Sequence, residues 1–257
     1  QLILLDHSQR IDLNARSNSG KTAFILACLK GDKDVVKLLL DHSQRIELNA
    51  SYDGGYTAFM CACINGHKDV VKLLLEHSER IELNARGNRG WTAFMLACGC
   101  GHKDVVQLLL DHSERIDLNA TDDRGFTALM LACACGHKDV VKLLLDSNIE
   151  LNARNDNGQS ALMIACIKGN KDVVKLLLDH SDIIKLNTRN NRGLTAFMWA
   201  CRMGHKDVVK LLLDHLDRME LNARTNNGRT AIMLASQNGH NEVVQLLKSK
   251  SRRRVSI

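Results

Sequence analysis

Apolar residues fall along the chain in two alternating kinds of run. One, as in Ala93-Phe94-Met95-Leu96-Ala97-Cys98, is short and apolar throughout. The other, as in Lys103-Asp104-Val105-Val106-Gln107-Leu108-Leu109-Leu110, repeats apolar positions at i, i+1, i+3, i+4 and i+5 from its first valine. On a helix that stripe is too wide for one neighbour and suits partners on two sides. Thr92 stands where an N-cap belongs and Gly101 where a left-handed C-terminal residue belongs, so the first run predicts a short helix. Asp104 sits in the first turn of the second predicted helix, where a negative charge suits the helix dipole. The polar stretch from Ile116 to Phe126, with Gly125 near its end, predicts an extended arm with a tight turn.

This helix–helix–arm unit recurs. Thr22, Thr57, Thr92, Thr127, Ser160, Thr195 and Thr230 step by 35, 35, 35, 33, 35 and 35 residues. The short step lies at Asp146-Ser147-Asn148-Ile149, and length variation there marks a surface loop. Two short helices cannot bury such apolar faces alone, so the units must stack on their neighbours. The reading is an array over residues 1–247: a partial repeat at 1–16, then seven repeats starting near 17, 52, 87, 122, 155, 190 and 225, then a basic tail at 248–257 expected to lack fixed structure. Leu2 to Arg10 matches Lys37 to Arg45, the end of a second helix, so the chain is expected to come from a longer array. Lys248 and Ser236 replace a recurring leucine and cysteine, the polar drift of a capping repeat.

Gly90-Trp91-Thr92-Ala93-Phe94-Met95-Leu96-Ala97-Cys98, then Gly101-His102-Lys103-Asp104-Val105-Val106-Gln107-Leu108-Leu109-Leu110, then Leu118-Asn119-Ala120, resemble the ankyrin repeat. The resemblance covers nearly the whole chain, with one departure: the family's Thr-Pro-Leu-His reads Thr-Ala-Phe-Met here. It implies an all-α solenoid of stacked helix-turn-helix units with β-hairpin-like arms. It also implies a monomeric scaffold or adaptor that grips protein on its concave side, and asparagines such as Asn84 and Asn119 open to hydroxylation.

Charge and cysteine usage narrow the partner and the compartment. Of the net charge of +6, five positive charges belong to Lys248, Lys250, Arg252, Arg253 and Arg254, which leaves residues 1–247 at +1. A body so near neutrality argues against nucleic acid as the main partner. The nine cysteines recur mostly at one repeat position and not at framework spacings, which points to reduced thiols and an intracellular protein, cytoplasmic or nuclear. No apolar run approaches the roughly 20 residues a membrane span needs.

The recurring His, Cys and Asp residues read as scaffold, because catalysis needs one convergent constellation and not a residue in every unit. Cys61/Cys63, Cys98/Cys100 and Cys133/Cys135 are spaced two apart, which on a helix turns the two thiols roughly 200° from each other. Such a pair cannot hold one ion. Neither metal, cofactor nor enzymatic activity is expected.

Positions that differ between copies are free of stacking duty and are candidates for recognition. The residue before each Thr or Ser is Lys21, Tyr56, Trp91, Phe126, Gln159, Leu194 and Arg229. Ankyrin resemblance places it on the concave side, with the residues three and four before the threonine and seven and eight after it. Tyr52, Tyr56, Trp91, Phe126 and Leu194 are therefore candidate apolar anchors, and Arg89, Arg124 and Arg192 candidate guides for an acidic segment. Arg202 and Met203 complete the candidate partner-binding set. Phe24, Phe59, Phe94, Phe197 and Trp199 occupy positions expected in the core. Two other readings remain open: nucleic-acid binding by the Arg/aromatic ladder, and service as the substrate-targeting region of a larger multidomain enzyme. Ser256, after Arg253-Arg254-Val255, resembles a basophilic kinase site.

Overall fold

The computed structural model describes residues 12–215 and 218–254. The expected partial repeat at Leu2 to Arg10 and the phosphorylation site at Ser256 lie outside the described residues. The chain divides into two compact units, with the boundary between Asp123 and Arg124.

The first unit contains α1 (Ala23–Lys30), α2 (Lys33–Asp41), α3 (Ala58–Ile64), α4 (Lys68–Glu76), α5 (Ala93–Cys100) and α6 (Lys103–Leu110). The first helices pack in file, α1 on α3 on α5, and the second helices form a parallel file, α2 on α4 on α6. The second unit contains α7 (Ala128–Cys135), α8 (Lys138–Leu145), α9 (Ala161–Lys168), α10 (Lys171–Asp179), α11 (Ala196–Met203), α12 (Lys206–Leu213), α13 (Ala231–Gln237) and α14 (Asn241–Arg254). There α7, α9, α11 and α13 make one file and α8, α10, α12 and α14 the other. Each unit is thus a short all-α solenoid segment.

Local chemistry sets the helix ends. Thr92 Oγ1 accepts the Met95 amide at 3.3 Å, and Thr22, Thr57, Thr127, Ser160 and Thr195 do the same for their own helices. Gly101 closes α5 at φ 80° in the left-handed region. The last helix runs on to Arg254, where the sequence reading expected a tail without fixed structure. Lys248 to Arg254 contains no glycine or proline and is rich in good helix formers, so α14 meets no stop signal.

The interior is built from the recurring residues. Phe24, Phe59, Phe94 and Phe197 are buried, as are Cys28, Cys63, Cys98, Cys133, Cys166 and Cys201. Burial pushes these six thiols well above their ordinary range, so they stay protonated and behave as small packing groups. Trp199 differs from this core: it is only half-buried, at a repeat position where Leu131 is also half-buried and Leu26 is exposed.

Hydrogen bonds between successive copies account for the other recurring side chains. His67 Nε2 reaches the Leu29 carbonyl at 3.0 Å and His102 Nε2 the Ile64 carbonyl at 2.8 Å. In the second unit Asn170 stands in a histidine position, and its Nδ2 donates to the Cys133 carbonyl at 2.8 Å. Asn84 Nδ2 donates to the Arg115 carbonyl while its Oδ1 accepts the Asp117 amide, both at 2.9 Å; Asn14, Asn49, Asn152 and Asn187 bridge in the same way. Arg16, Arg86, Arg154 and Arg189 donate to carbonyls one repeat on, at Ser51, Thr121, Arg189 and Arg224. Histidine, asparagine and arginine thus satisfy backbone groups that the short helices and arms leave open.

Candidate functional site

The arms carry most of the varying residues. An arm closes when the amide five residues before the threonine donates to the carbonyl just before it, as in Ser17 to Lys21, Gly87 to Trp91 and Asn190 to Leu194. In the second repeat this grows into a two-stranded hairpin, β1 (Ser51–Tyr52) and β2 (Tyr56–Thr57), with Tyr52 opposite Tyr56. Neighbouring arms are joined at their tips: the Arg89 carbonyl accepts the Asp123 amide, and the Arg124 and Arg192 carbonyls accept those of Asp156 and Asn226. The backbones of these three arginines are structural, while their side chains are exposed. Arg89 is the one non-glycine residue among those described with positive φ, at 63°.

In the first unit Tyr52 and Tyr56 face each other across the hairpin with ring centroids 5.9 Å apart. The Lys21 ammonium lies 4.5 Å from the Tyr52 centroid, and the Cys61 thiol donates to the Tyr52 hydroxyl at 3.8 Å. Burial, and then Cys61, push the Tyr52 phenol up to about 12, so it remains a neutral hydrogen-bonding group at physiological pH. Trp91 Nε1 donates to Asp122 Oδ2 at 3.1 Å, which fixes the indole to the following arm. Tyr52, Tyr56 and Trp91 are all half-buried: packed enough to be held, open enough to be touched.

The second unit holds the rest of the set. Phe126 occupies the Trp91 position of its own repeat and is half-buried. Leu194 overturns the expectation of an exposed anchor, being only 3% exposed. Its amide and carbonyl are both bound to Asn190, the same closure that leaves Lys21 and Gln159 half-buried and Arg229 exposed, so the inward turn belongs to the apolar side chain itself. Met203 is 42% exposed at the end of α11, and the Arg202 guanidinium carbon lies 5.2 Å from the Trp199 ring centroid. Sequence reasoning assigned Lys21 and Arg229 only to a varying position and sent Trp199 to the core. The aromatic partners of Lys21 and Arg202 depend on rotamers that a repeat pattern does not encode.

Among the described residues no cluster of three or more His, Cys, Asp or Glu side chains is placed to hold a metal ion, and no helix is long and apolar enough to cross a membrane. A family model described as ankyrin repeats, three copies, matches residues 1–87, 79–155, 147–223 and 184–255. No curated protein matches the chain.

Proposed function

Because the chain belongs to the ankyrin-repeat family, whose repeats serve generally as protein–protein interaction modules, we propose that it is a scaffold or adaptor that grips protein through the arms and first helices of each unit. It performs no reaction of its own in this reading and works inside the cell, where its thiols stay reduced. One observation carries the reading: Tyr56, Trp91 and Phe126 are large aromatic side chains that stacking does not call for, since the same place holds Lys21, Gln159 and Arg229 in other copies, and each keeps part of its surface open. Half-open aromatic rings beside arginines are the usual composition of interface hot spots. Tyr52, Tyr56, Trp91 and Phe126 are the apolar anchors, with Met203 as a further apolar contact. Arg89, Arg124, Arg192 and Arg202 steer an acidic flank, and the near-neutral body favours protein over nucleic acid.

Affinity capture from lysate, with the wild type beside a Trp91→Ala/Phe126→Ala variant, tests this. The expected result is a partner retained by the wild type and lost by the variant, with the variant melting no more than about 10 °C lower. Removing the Trp91–Asp122 bond, which ends on a carboxylate, accounts for about 1.5–3 kcal/mol. A variant that retains every captured protein, or melts far lower, overturns the assignment of these rings.

A further inference from the structure

Trp199 and Arg202 depart from the repeat in the same copy. Where Trp199 stands, the other copies carry Leu26, Cys61, Leu96, Leu131, Ile164 and Leu234; where Arg202 stands, they carry Leu29, Ile64, Gly99, Ala134, Ile167 and Gln237. Stacking therefore requires neither the indole nor the charge. The two residues are three apart on α11 and share one of its faces, with the guanidinium over the ring. The indole Nε1 is enclosed and has no hydrogen-bond partner among the described residues, although a donor taken out of water is costly unless an acceptor replaces the lost hydration.

The surroundings point to the missing acceptor. Arg202 is fixed through its main chain, whose carbonyl meets His240 Nε2 at 2.9 Å, and Gly204 ends the helix just beyond it at φ 75°. The long side chain alone is left to swing. Among the described residues no carboxylate lies in ion-pair reach of Arg202, nor of the exposed Arg192 and Arg229 on the arms before and after α11. Three cations without counter-charge and an indole donor without acceptor thus occur in one helix and its two flanking arms.

We propose that Trp199 and Arg202 form a carboxylate-gated subsite for a Glu or Asp side chain on an extended segment of the partner protein. The carboxylate pairs with Arg202 and draws the guanidinium off the ring. With its face free of the cation, the indole turns its enclosed N–H out to an oxygen of the same segment, and Met203 packs beside it. A forked guanidinium–carboxylate pair is stronger than a cation resting on a partly exposed ring, which gives the exchange its direction. The subsite rests on the reading of the arm-bearing face as the binding surface.

The test uses the full chain labelled with nitrogen-15. Its two tryptophans give two indole N–H signals, assigned by Trp199→Phe. A short Glu-rich peptide is titrated beside its Gln isostere. The Glu peptide is expected to move the Trp199 indole signal saturably and leave that of Trp91 in place, with no saturable shift from the Gln peptide. Arg202→Met, checked for an unchanged helical circular dichroism spectrum, is expected to weaken the Glu peptide about tenfold or more, as loss of a charge-assisted pair does. Calorimetric binding of the Glu peptide with a silent Trp199 signal overturns the gate, as do equal affinity of Arg202→Met and absence of binding. Each of those outcomes leaves the capture experiment standing, because that experiment reads Trp91 and Phe126.

Discussion

Phe59→Ala is expected to lower the stability of the protein by about 3–5 kcal/mol, the usual range for deleting a buried phenylalanine ring. Phe59 is 2% exposed and belongs to α3, which packs on α1 on one side and α5 on the other. Its loss opens a cavity in a helix held between two neighbours, and in a stack stabilised by nearest-neighbour contacts that also weakens cooperativity. Urea unfolding followed by circular dichroism measures the effect, with Tyr56→Ala as the comparison. Tyr56 lies three residues earlier and is half-buried, so its truncation should cost much less. Equal losses for the two would mean that the boundary between interior and binding face is drawn in the wrong place.

Gly66→Ala is expected to cost about 2–3 kcal/mol: about 1–2 for a left-handed backbone that alanine resists, and about 1 for a displaced hydrogen bond. Gly66 ends the first helix of its repeat at φ 73°, and a Cβ there would stand 2.5 Å from Nδ1 of the His102 ring. The ring cannot yield without breaking its bond to the Ile64 carbonyl. Gly239 supplies a control within the same chain, with φ 75° and nothing within 4 Å of a Cβ, so Gly239→Ala carries the backbone cost alone. Thermal or urea unfolding of the two variants isolates the histidine contact as their difference. If Gly239→Ala costs as much as Gly66→Ala, the recurring Gly-His pair contributes nothing to stacking.

The repeat made the fold readable. A threonine cap, a glycine stop and a two-sided apolar helix each carry a weak signal once, but their recurrence at one period left little freedom in placing the helices. The inward cysteines and the scaffold role of the histidines were legible for the same reason. Leu194 was misplaced because variation at a position shows that stacking does not dictate the residue, and says nothing of whether a given apolar side chain turns in or out. The Asn190 bonds that close this arm recur at Lys21, Gln159 and Arg229, whose side chains stay partly or fully open, so they do not decide the direction either. Trp199 erred in the opposite sense: its position is interior at Cys61, Leu96, Ile164 and Leu234 but partly open at Leu131 and Leu26, and the half-open ring draws Arg202 over it. The Trp91–Asp122 bond joins residues 31 apart and depends on a side-chain rotamer, so neither residue announced it. Asn155, which holds the place of Asp122 one repeat on, bonds instead to Gln159 of its own arm, and nothing periodic marks the pair.

Hydroxyl-radical footprinting of the captured complex beside the free protein reads which side chains the partner covers. Partner binding is expected to slow oxidation at Tyr52, Tyr56, Trp91, Phe126 and Met203, and to leave unchanged the already slow rates of the buried Phe24, Phe59, Phe94 and Phe197. Protection falling instead on the outer file of helices, at Leu38, Leu73 and Leu108, with the five varying residues as reactive as before, would contradict it.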